Sequence, residues 1–416
     1  MENSENNIPA IRFPEFKENW KHKKLSELLS ESRKRNTDLK FSKDQVLSVS
    51  GELGIVNQIE HLGRSYAGES VHNYHVVEIN DIVYTKSPLK SNPFGIIRLN
   101  KGKPGIVSTL YAVYKLKSEN VIGSFLDYYF SLDANTNRYL RPLVKKGAKN
   151  DMKINNSYVL VDKIFVPKIE EQKKITAFFT VIDEKLQQLS KKKDLLENYK
   201  KGVMEQMFNQ EIRFKDDNGN DFADWEEKKL AEVTLLITKG TTPTSLGFSY
   251  TDEGINFIKT ENISKNGFID IENTPKISDE CNASLKRSEI YENDILFSIA
   301  GTLGRVAIVR LKDIPGNTNQ ALSIIRLKDE INVKFVYYSL IQEKIFKWIS
   351  RVLSVGAQPN LNLQQINNIK LLFPTLPEQQ KIATFLSAID DKINIVNQQL
   401  EKTKEYKKGL LQQMFI

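Results

Sequence analysis

"FPTLPEQQKIATFLSAIDDKI", Phe373 to Ile393, has a counterpart 207 residues earlier, "VPKIEEQKKITAFFTVIDEKL", Val166 to Leu186. The match continues into the endings "NYKKGVMEQMFN" (Asn198 to Asn209) and "EYKKGLLQQMFI" (Glu405 to Ile416), with 16 of 44 aligned positions identical. A repeat of this kind dictates topology before any other feature is considered. In the second copy Ile382, Leu386, Ile389, Ile393, Val396, Leu400, Thr403, Lys407, Leu410 and Met414 follow alternating steps of four and three. In the first copy the same steps fall on Ile175, Phe179, Ile182, Leu186, Leu189, Lys193, Leu196, Lys200, Val203 and Met207. That period is a heptad seam, and it predicts two helices of about 37 residues, each about 55 Å long.

An apolar stripe of that length needs a cover, and the sister copy is the nearest one. The first helix hands the chain to a second globular region, whereas the second helix is free to run back, so the pair is expected to be antiparallel. Gly202 and Gly409 sit inside the pattern at a cost of about 1 kcal/mol each relative to alanine, which predicts a close backbone neighbour there or simple tolerance. Lys193, Lys200 and Lys407 interrupt the seam, which predicts looser packing or a third element at those levels.

The regions between the helices echo each other faintly. "IRFPEFKENWKHKKLSEL" opens one at Ile11 and "IRFKDDNGNDFADWEEKKLAEV" opens the other at Ile212, each with a Trp before Lys-Lys-Leu. "INDIVYTKSP" (Ile79 to Pro88) parallels "ENDILFSIAG" (Glu292 to Gly301), and "YAVYKLKSE" (Tyr111 to Glu119) parallels "LSIIRLKDE" (Leu322 to Glu330). Alternating and β-branched runs between Gly, Asn and Pro turns predict short strands, with helices near Ser124–Leu132 and Val333–Ser350. The expected fold is α+β: a flexible N-terminus (1–10), globular domains over 11–166 and 210–373, and long helices over 167–209 and 374–416. The plan is cyclic and pseudo-two-fold, which puts Ile416 near the start of the first domain.

Composition sets the class. Of 416 residues, 40% are hydrophobic and 27% charged, which is a globular and not a disordered balance. The single cysteine, Cys281, excludes a disulfide framework and a cysteine-rich zinc site. No export signal or run of about 18 apolar residues is present, so the expected location is the cytoplasm and no membrane partner is expected. The net charge is +8, unevenly spread: 25 basic against 16 acidic residues from Arg12 to Lys163, but 20 against 21 from Ile212 to Leu372. If both regions meet one polyanion, the first relies on general charge and the second on a few placed groups.

Catalytic signatures are absent from the sequence. "AGTLGRVAIV" (Ala300 to Val309) lacks the Lys-Ser/Thr of a phosphate loop and reads as a turn between strands. His72 and His75 flank Tyr74 without further ligands in a zinc spacing. "SNPFG" (Ser91 to Gly95) has one proline where an adenine methyltransferase motif has two, and Asp81 with Lys86 is a pair that arises by accident. Two other readings stay open on residues alone: a coiled-coil scaffold carrying two adaptor domains, and a lone endonuclease or methyltransferase.

The repeated "FVPKIEEQKKI" (Phe165 to Ile175) and "LLFPTLPEQQKIA" (Leu371 to Ala383), with their endings, resemble the specificity subunit of bacterial type I restriction-modification systems. The likeness covers almost the whole chain. "VVEINDIVYTKSP" and "GIVSTLYAVYKL" are similar to one variety of that family's target recognition domain. "TKGTTPTS", "FIKTENI", "GTLGRVAIV", "NTNQALSIIRL" and "GAQPNLNL" are similar to another. "GAKNDMKI" stands in the first region where the second has "GAQPNLNL", so roles need not transfer between halves.

The resemblance implies a non-catalytic DNA-binding subunit whose two recognition domains each read half of a bipartite, asymmetric site. The helices would set the spacer and dock two methyltransferase subunits, and two restriction subunits would complete the complex. No cofactor is implied for this chain; the partners would use S-adenosylmethionine, ATP and Mg. The expected contacts to double-stranded DNA in the first domain are Arg64, Tyr66, Lys86, Ser87, Lys90, Ser108, Thr109, Lys149 and Asn150. In the second they are Lys239, Thr241, Lys259, Thr260, Asn262, Thr302, Arg305, Asn319, Gln320, Gln358 and Asn360. Asn and Gln pair with adenine edges, and Arg and Lys with guanine or phosphate.

Overall fold

The computed structural model describes residues 8–416 except 69, 118, 147–151 and 355–359. Two long helices are present, Ile169–Phe208 (40 residues) and Leu376–Met414 (39 residues), slightly longer than the seam alone predicts. The chain forms two compact units: Met1–Lys191 with Gln398–Ile416, and Lys192–Asn397. Each unit therefore owns the start of one long helix and the end of the other.

Every seam position is buried or half-buried, while the neighbouring Lys173, Glu184, Lys191, Lys392 and Lys402 are exposed. Within the first unit Lys407 pairs with Asp183, and within the second Lys200 Nζ lies 2.6 Å from Asp390 Oδ1. Late residues of one helix thus meet early residues of the other, and the two segments run antiparallel in each unit. A third element explains the lysines at these levels. Tyr128, on the helix Gly123–Ser131, donates its hydroxyl to Asp183 at 2.8 Å; Tyr338, on Val333–Leu340, donates to Asp390 at 2.6 Å. Lys407 and Lys200 also lie over those tyrosine rings, at 5.3 and 5.1 Å. The close backbone neighbour expected at Gly202 and Gly409 is not there, since a Cβ at either would meet nothing within 4 Å. Simple tolerance on an open helix face is the physical account.

The first turn of each long helix carries a buried Glu-Gln pair that ties the lobe together. Glu171, 2% exposed, accepts from Arg12 Nε and Nη2, both at 2.7 Å, and from Trp20 Nε1 at 3.2 Å. Glu378, 0% exposed, accepts from Arg213 Nε at 3.1 Å and Nη2 at 2.9 Å, and from Trp225 Nε1 at 3.2 Å. Gln172 accepts from Ile122 N and donates to the Asn120 and Pro167 carbonyls; Gln379 accepts from Asn332 N and donates to the Pro374 carbonyl. Buried charge is tolerated when it is paired and its lone pairs are filled, as both carboxylates are.

Each lobe is closed by a ribbon. Lys21–Lys24, just after Trp20, pairs antiparallel with Lys163–Val166, and Glu226–Lys229, just after Trp225, pairs with Lys370–Phe373. Behind each ribbon stands a four-stranded antiparallel sheet. In the first unit the order is Leu29–Glu31, Tyr111–Leu116, Ile82–Thr85, Ile96–Leu99; in the second it is Thr234–Lys239, Leu322–Leu327, Ile295–Ser298, Val306–Ile308. The Asn-Asp turn before the third strand is the same in both: Asp81 accepts from Glu78 N and Asp294 from Tyr291 N, each at 2.8 Å. That turn role accounts for Asp81. The second unit adds a sheet of Lys276–Ile277, Ile255–Ile258, Gly316–Thr318 and Glu289–Ile290, in which the middle pair is parallel.

The helix predicted over Val333–Ser350 is two, Val333–Leu340 and Glu343–Ser354, separated at Ile341–Gln342, and Gly123–Ser131 is likewise followed by Asp133–Leu140. Ile11 N donates to the Gln413 carbonyl at 2.9 Å, and Phe415 packs on Trp20, Phe125, Tyr129 and Phe179. The end of the chain does lie at the start of the first lobe. In the second unit Ile212 N reaches the Gln206 carbonyl, and Phe208 packs on Trp225 and Phe335, the same arrangement made within continuous chain.

Candidate nucleic-acid interface

In the second unit the strand Ile295–Ser298 leads into the loop Ile299–Gly304, where Gly301 and Gly304 adopt φ of +72° and +77°. Ser298, wholly buried, holds this loop in shape: its hydroxyl donates to the Thr302 carbonyl at 2.6 Å and accepts from Arg305 N at 2.7 Å. Ile299 N donates to the Ala321 carbonyl at 2.8 Å, and Leu361 N donates to the Ile299 carbonyl at 2.9 Å. The loop thereby gathers Asn319–Ala321 and Asn360–Leu361 beside it. Gly240 brings in the end of the edge strand, because a Cβ there would fall 1.7 Å from the Thr318 carbonyl oxygen and only glycine permits that approach. Gly240 N donates to the Asn319 carbonyl at 3.2 Å.

Arg305 joins a further segment. Its Nη1 donates to the carbonyls of Thr260 and Ile263, at 3.1 and 2.6 Å, so the guanidinium grips both ends of the turn Thr260–Asn262. A cavity of about 360 Å³ lies between these segments, lined by Thr260, Glu261, Ala300, Gly301, Thr302, Arg305 and Ala321. One end of this unit thus assembles the positions singled out by sequence: Lys239 and Thr241, Thr260 and Asn262, Thr302 and Arg305, Asn319 and Gln320, and Asn360.

Their availability differs. Lys239, Thr302, Gln320 and Asn360 are exposed, and Thr241, Lys259, Arg305 and Asn319 are half-buried. Thr260 and Asn262 are buried, and Asn262 is spent on the turn itself, accepting from Lys259 N at 3.0 Å and donating to the Asn273 carbonyl at 3.1 Å. Asn319 accepts from Ala321 N at 3.1 Å, Gln320 is joined to the Thr242 hydroxyl, and Lys259 Nζ stands 4.4 Å over the Tyr250 ring. Gln358 lies outside the described residues. Sequence reasoning passed over Glu261, exposed between two chosen residues, and Arg287, exposed with Nη2 donating to Thr241 Oγ1 at 3.3 Å. Position beside the chosen residues was the only signal for Glu261.

In the first unit Lys86 N donates to the Leu110 carbonyl at 3.2 Å, which sets Lys86 and Ser87 beside the Ser108–Leu110 turn. Ser108 is half-buried, and Thr109 and Leu110 are exposed. His75 lies close by, buried, with its pKa pushed down to about 4 by burial first and then by the positive charges of Arg35 and Lys86. Arg64 and Tyr66 form a pair of their own, the guanidinium 4.7 Å over the ring, anchored where Tyr66 N donates to Gln58 Oε1 at 2.9 Å. Lys90 is exposed in the loop before Ile96–Leu99. Lys149 and Asn150 lie outside the described residues. A cleft of about 1230 Å³ in this unit, lined by Lys34, Lys40, Asn57, His61 and Lys103 among others, contains none of the candidates.

Among the described residues no group of three or more His, Cys, Asp or Glu could hold a metal ion, and no helix is long and apolar enough to cross a membrane.

Comparison with known proteins gives a consistent picture. Residues 223–405 match the family model described as type I restriction modification DNA specificity domain. The putative type I restriction enzyme MjaX specificity subunit of Methanocaldococcus jannaschii is 26% identical over 432 residues, covering 98% of this chain and 95% of the relative. The MjaVIII specificity subunit of the same organism is 28% identical over 322 residues, covering 74% and 73%. The crystal structure of the type I restriction-modification S subunit from M. genitalium superposes with a TM-score of 0.60 at 15% identity, covering 98% of this chain and 99% of that one. A chain from a structural study of type I R-M system assembly and conformational transition gives 0.54 at 16% identity, covering 94% and 96%. These two likenesses concern the fold.

Proposed function

The chain belongs to the family of type I restriction-modification specificity subunits, and on that premise we propose that its two lobes each read one half of a bipartite, asymmetric DNA sequence. As such a subunit it is itself non-catalytic and supplies DNA specificity to a type I restriction-modification complex. The observation that carries the half-site reading is the repeated build. Both units have the same four-stranded sheet, the same Arg-Glu-Trp tie and the same closing ribbon, yet different loops on that common frame. Two equal mounts with unequal loops are what a two-part, asymmetric site calls for.

In this reading residues 11–166 and 210–373 are the target recognition domains. The helices of 167–209 and 374–416 set the length of the unread spacer, each about 60 Å by its residue count. Phosphate contacts supply affinity and register, and base edges supply sequence. The first lobe, with its excess of basic residues, carries more of the salt-dependent share. Tyr199 and Tyr406, 207 residues apart and 54% and 59% exposed, mark equivalent outer positions on the two helices. Two equivalent faces support docking of two methyltransferase subunits, with restriction subunits joining them; S-adenosylmethionine, ATP and Mg belong to those partners.

The test is lobe exchange. The chain is co-produced with its methyltransferase, methylated adenines are mapped by sequencing, and residues 11–165 are replaced by the matching segment of another specificity subunit. One half-site is expected to change while the other half and the spacer persist. A change in both halves, or no adenine methylation that depends on this chain, overturns the reading.

A further inference from the structure

Glu261 is an exposed carboxylate on the rim of the cavity that gathers the second unit's polar loops. Among the described residues it makes no hydrogen bond and no ion pair. That is an unusual charge to present to a polyanion. The second lobe has no excess of basic residues to offset it, with 20 basic against 21 acidic from Ile212 to Leu372. A free carboxylate near phosphates raises the energy of every DNA complex unless it meets a donor, and the donors that DNA offers at base edges are exocyclic amino groups, cytosine N4 foremost in the major groove.

Its placement is fixed with care. Glu261 is the middle residue of the turn Thr260–Asn262, whose neighbours Thr260 and Asn262 are buried at 7% and 6%. Asn262 caps the turn from inside, and Arg305, arriving from more than 40 residues away, ties down the carbonyls of Thr260 and Ile263. Arg305 makes no ion pair among the described residues, and its Nε is buried without a hydrogen-bond partner. A half-buried guanidinium without a counter-charge is costly, and here its bonds go to backbone carbonyls that hold Glu261 at the rim. Arg305, expected from sequence to touch DNA, lines the same cavity with its Nη1 committed to backbone carbonyls.

We infer that Glu261 is a specificity-determining residue of the second lobe, reading an exocyclic amino group of one base, and that Arg305 is the positioning residue that holds it there. Glu261 excludes guanine and thymine at that place, because their major-groove edges offer only acceptors to its acceptor oxygens. The lobe gives up some non-specific attraction for this discrimination.

This inference rests on the half-site reading above, and the experiment separates the two. Binding of the full chain with its methyltransferase is measured on short duplexes carrying the mapped site, with each base pair of the second half-site changed in turn, at several fixed salt concentrations. Glu261→Gln is expected to lose about 5- to 150-fold of discrimination at one base pair of the second half-site, with non-specific affinity unchanged or tighter. Glu261→Asp, which keeps the carboxylate, is expected to retain the preference at that position. Arg305→Lys is expected to lower discrimination at the same position without altering the slope of log affinity against log salt. Unchanged discrimination throughout for Glu261→Gln overturns the role of Glu261. A slope reduced by about 1 in Arg305→Ala but not in Arg305→Lys marks a phosphate contact and overturns the role of Arg305. Failure of the wild-type complex to discriminate either half-site defeats the parent reading instead.

Discussion

Removing the carboxylate of Glu378 tests whether the Arg-Glu-Trp tie holds the second lobe to its helix. Glu378 is completely buried, whereas the Arg213 side chain is 21% exposed and also donates to the Phe222 and Ala223 carbonyls at 3.2 and 2.7 Å. Glu378→Ala strands the Trp225 indole N–H and leaves a guanidinium that water still reaches, for a cost of about 2–3 kcal/mol. Arg213→Ala leaves a carboxylate with no counter-charge and no solvent, for a cost of about 4–5 kcal/mol. Once either partner is gone the other has little left to lose, so the double variant falls short of the sum by about 2 kcal/mol or more. The assay is urea unfolding followed by tryptophan emission, with hydrogen exchange of the segment around Trp225 assigning the transition to this unit. Single-variant costs that simply add, or an Arg213→Ala cost below that of Glu378→Ala, would refute the reasoning.

Three further outcomes follow from the geometry. Gly240→Ala pushes a methyl group into the Thr318 carbonyl and should separate the edge strand from Asn319, lowering the second unit's stability by about 2 kcal/mol or more and releasing the Gly240 amide to fast exchange. His75 is held neutral, its pKa moved from 6.5 to about 4, so the unfolded chain binds the extra proton between those values. Stability of the first unit is therefore complete above about pH 6.5 and falls by up to about 3 kcal/mol toward pH 4; His75→Gln should flatten that slope in denaturant titrations at stepped pH. A permuted chain that joins Phe415 to Ile11 through Asn-Gln-Glu, the linker found between Phe208 and Ile212, and opens between Phe208 and Ile212 should give the same two-unit unfolding profile. Loss of either transition in the permuted chain would show that the two junctions are not equivalent.

The seam was legible because a heptad period survives without knowledge of any partner, and the antiparallel sense followed from chain order. The lysines within it were legible as interruptions only; that Tyr128 and Tyr338 would meet them depended on helices more than 50 residues away in sequence. The repeated "IRF" and the Glu-Gln pair were visible as letters, but Arg12 and Glu171 stand 159 residues apart and nothing local says that they bond. Asn262 and Thr260 illustrate the limit at the candidate interface. Short polar side chains that suit a base edge also suit a turn, and in this fold the turn claims Asn262, while the Thr260 hydroxyl is buried without a hydrogen-bond partner. Gly202 misled for the opposite reason, since a glycine on an open helix face carries no packing message.

The closing ribbons have a consequence for change over time. Lys21–Lys24 with Lys163–Val166, and Glu226–Lys229 with Lys370–Phe373, fasten each lobe at its own two ends, as a drawer is held by its runners whatever is stored inside. Loops inserted, shortened or exchanged between those runners leave the fastening alone, so what the loops carry can change while the chassis stays still.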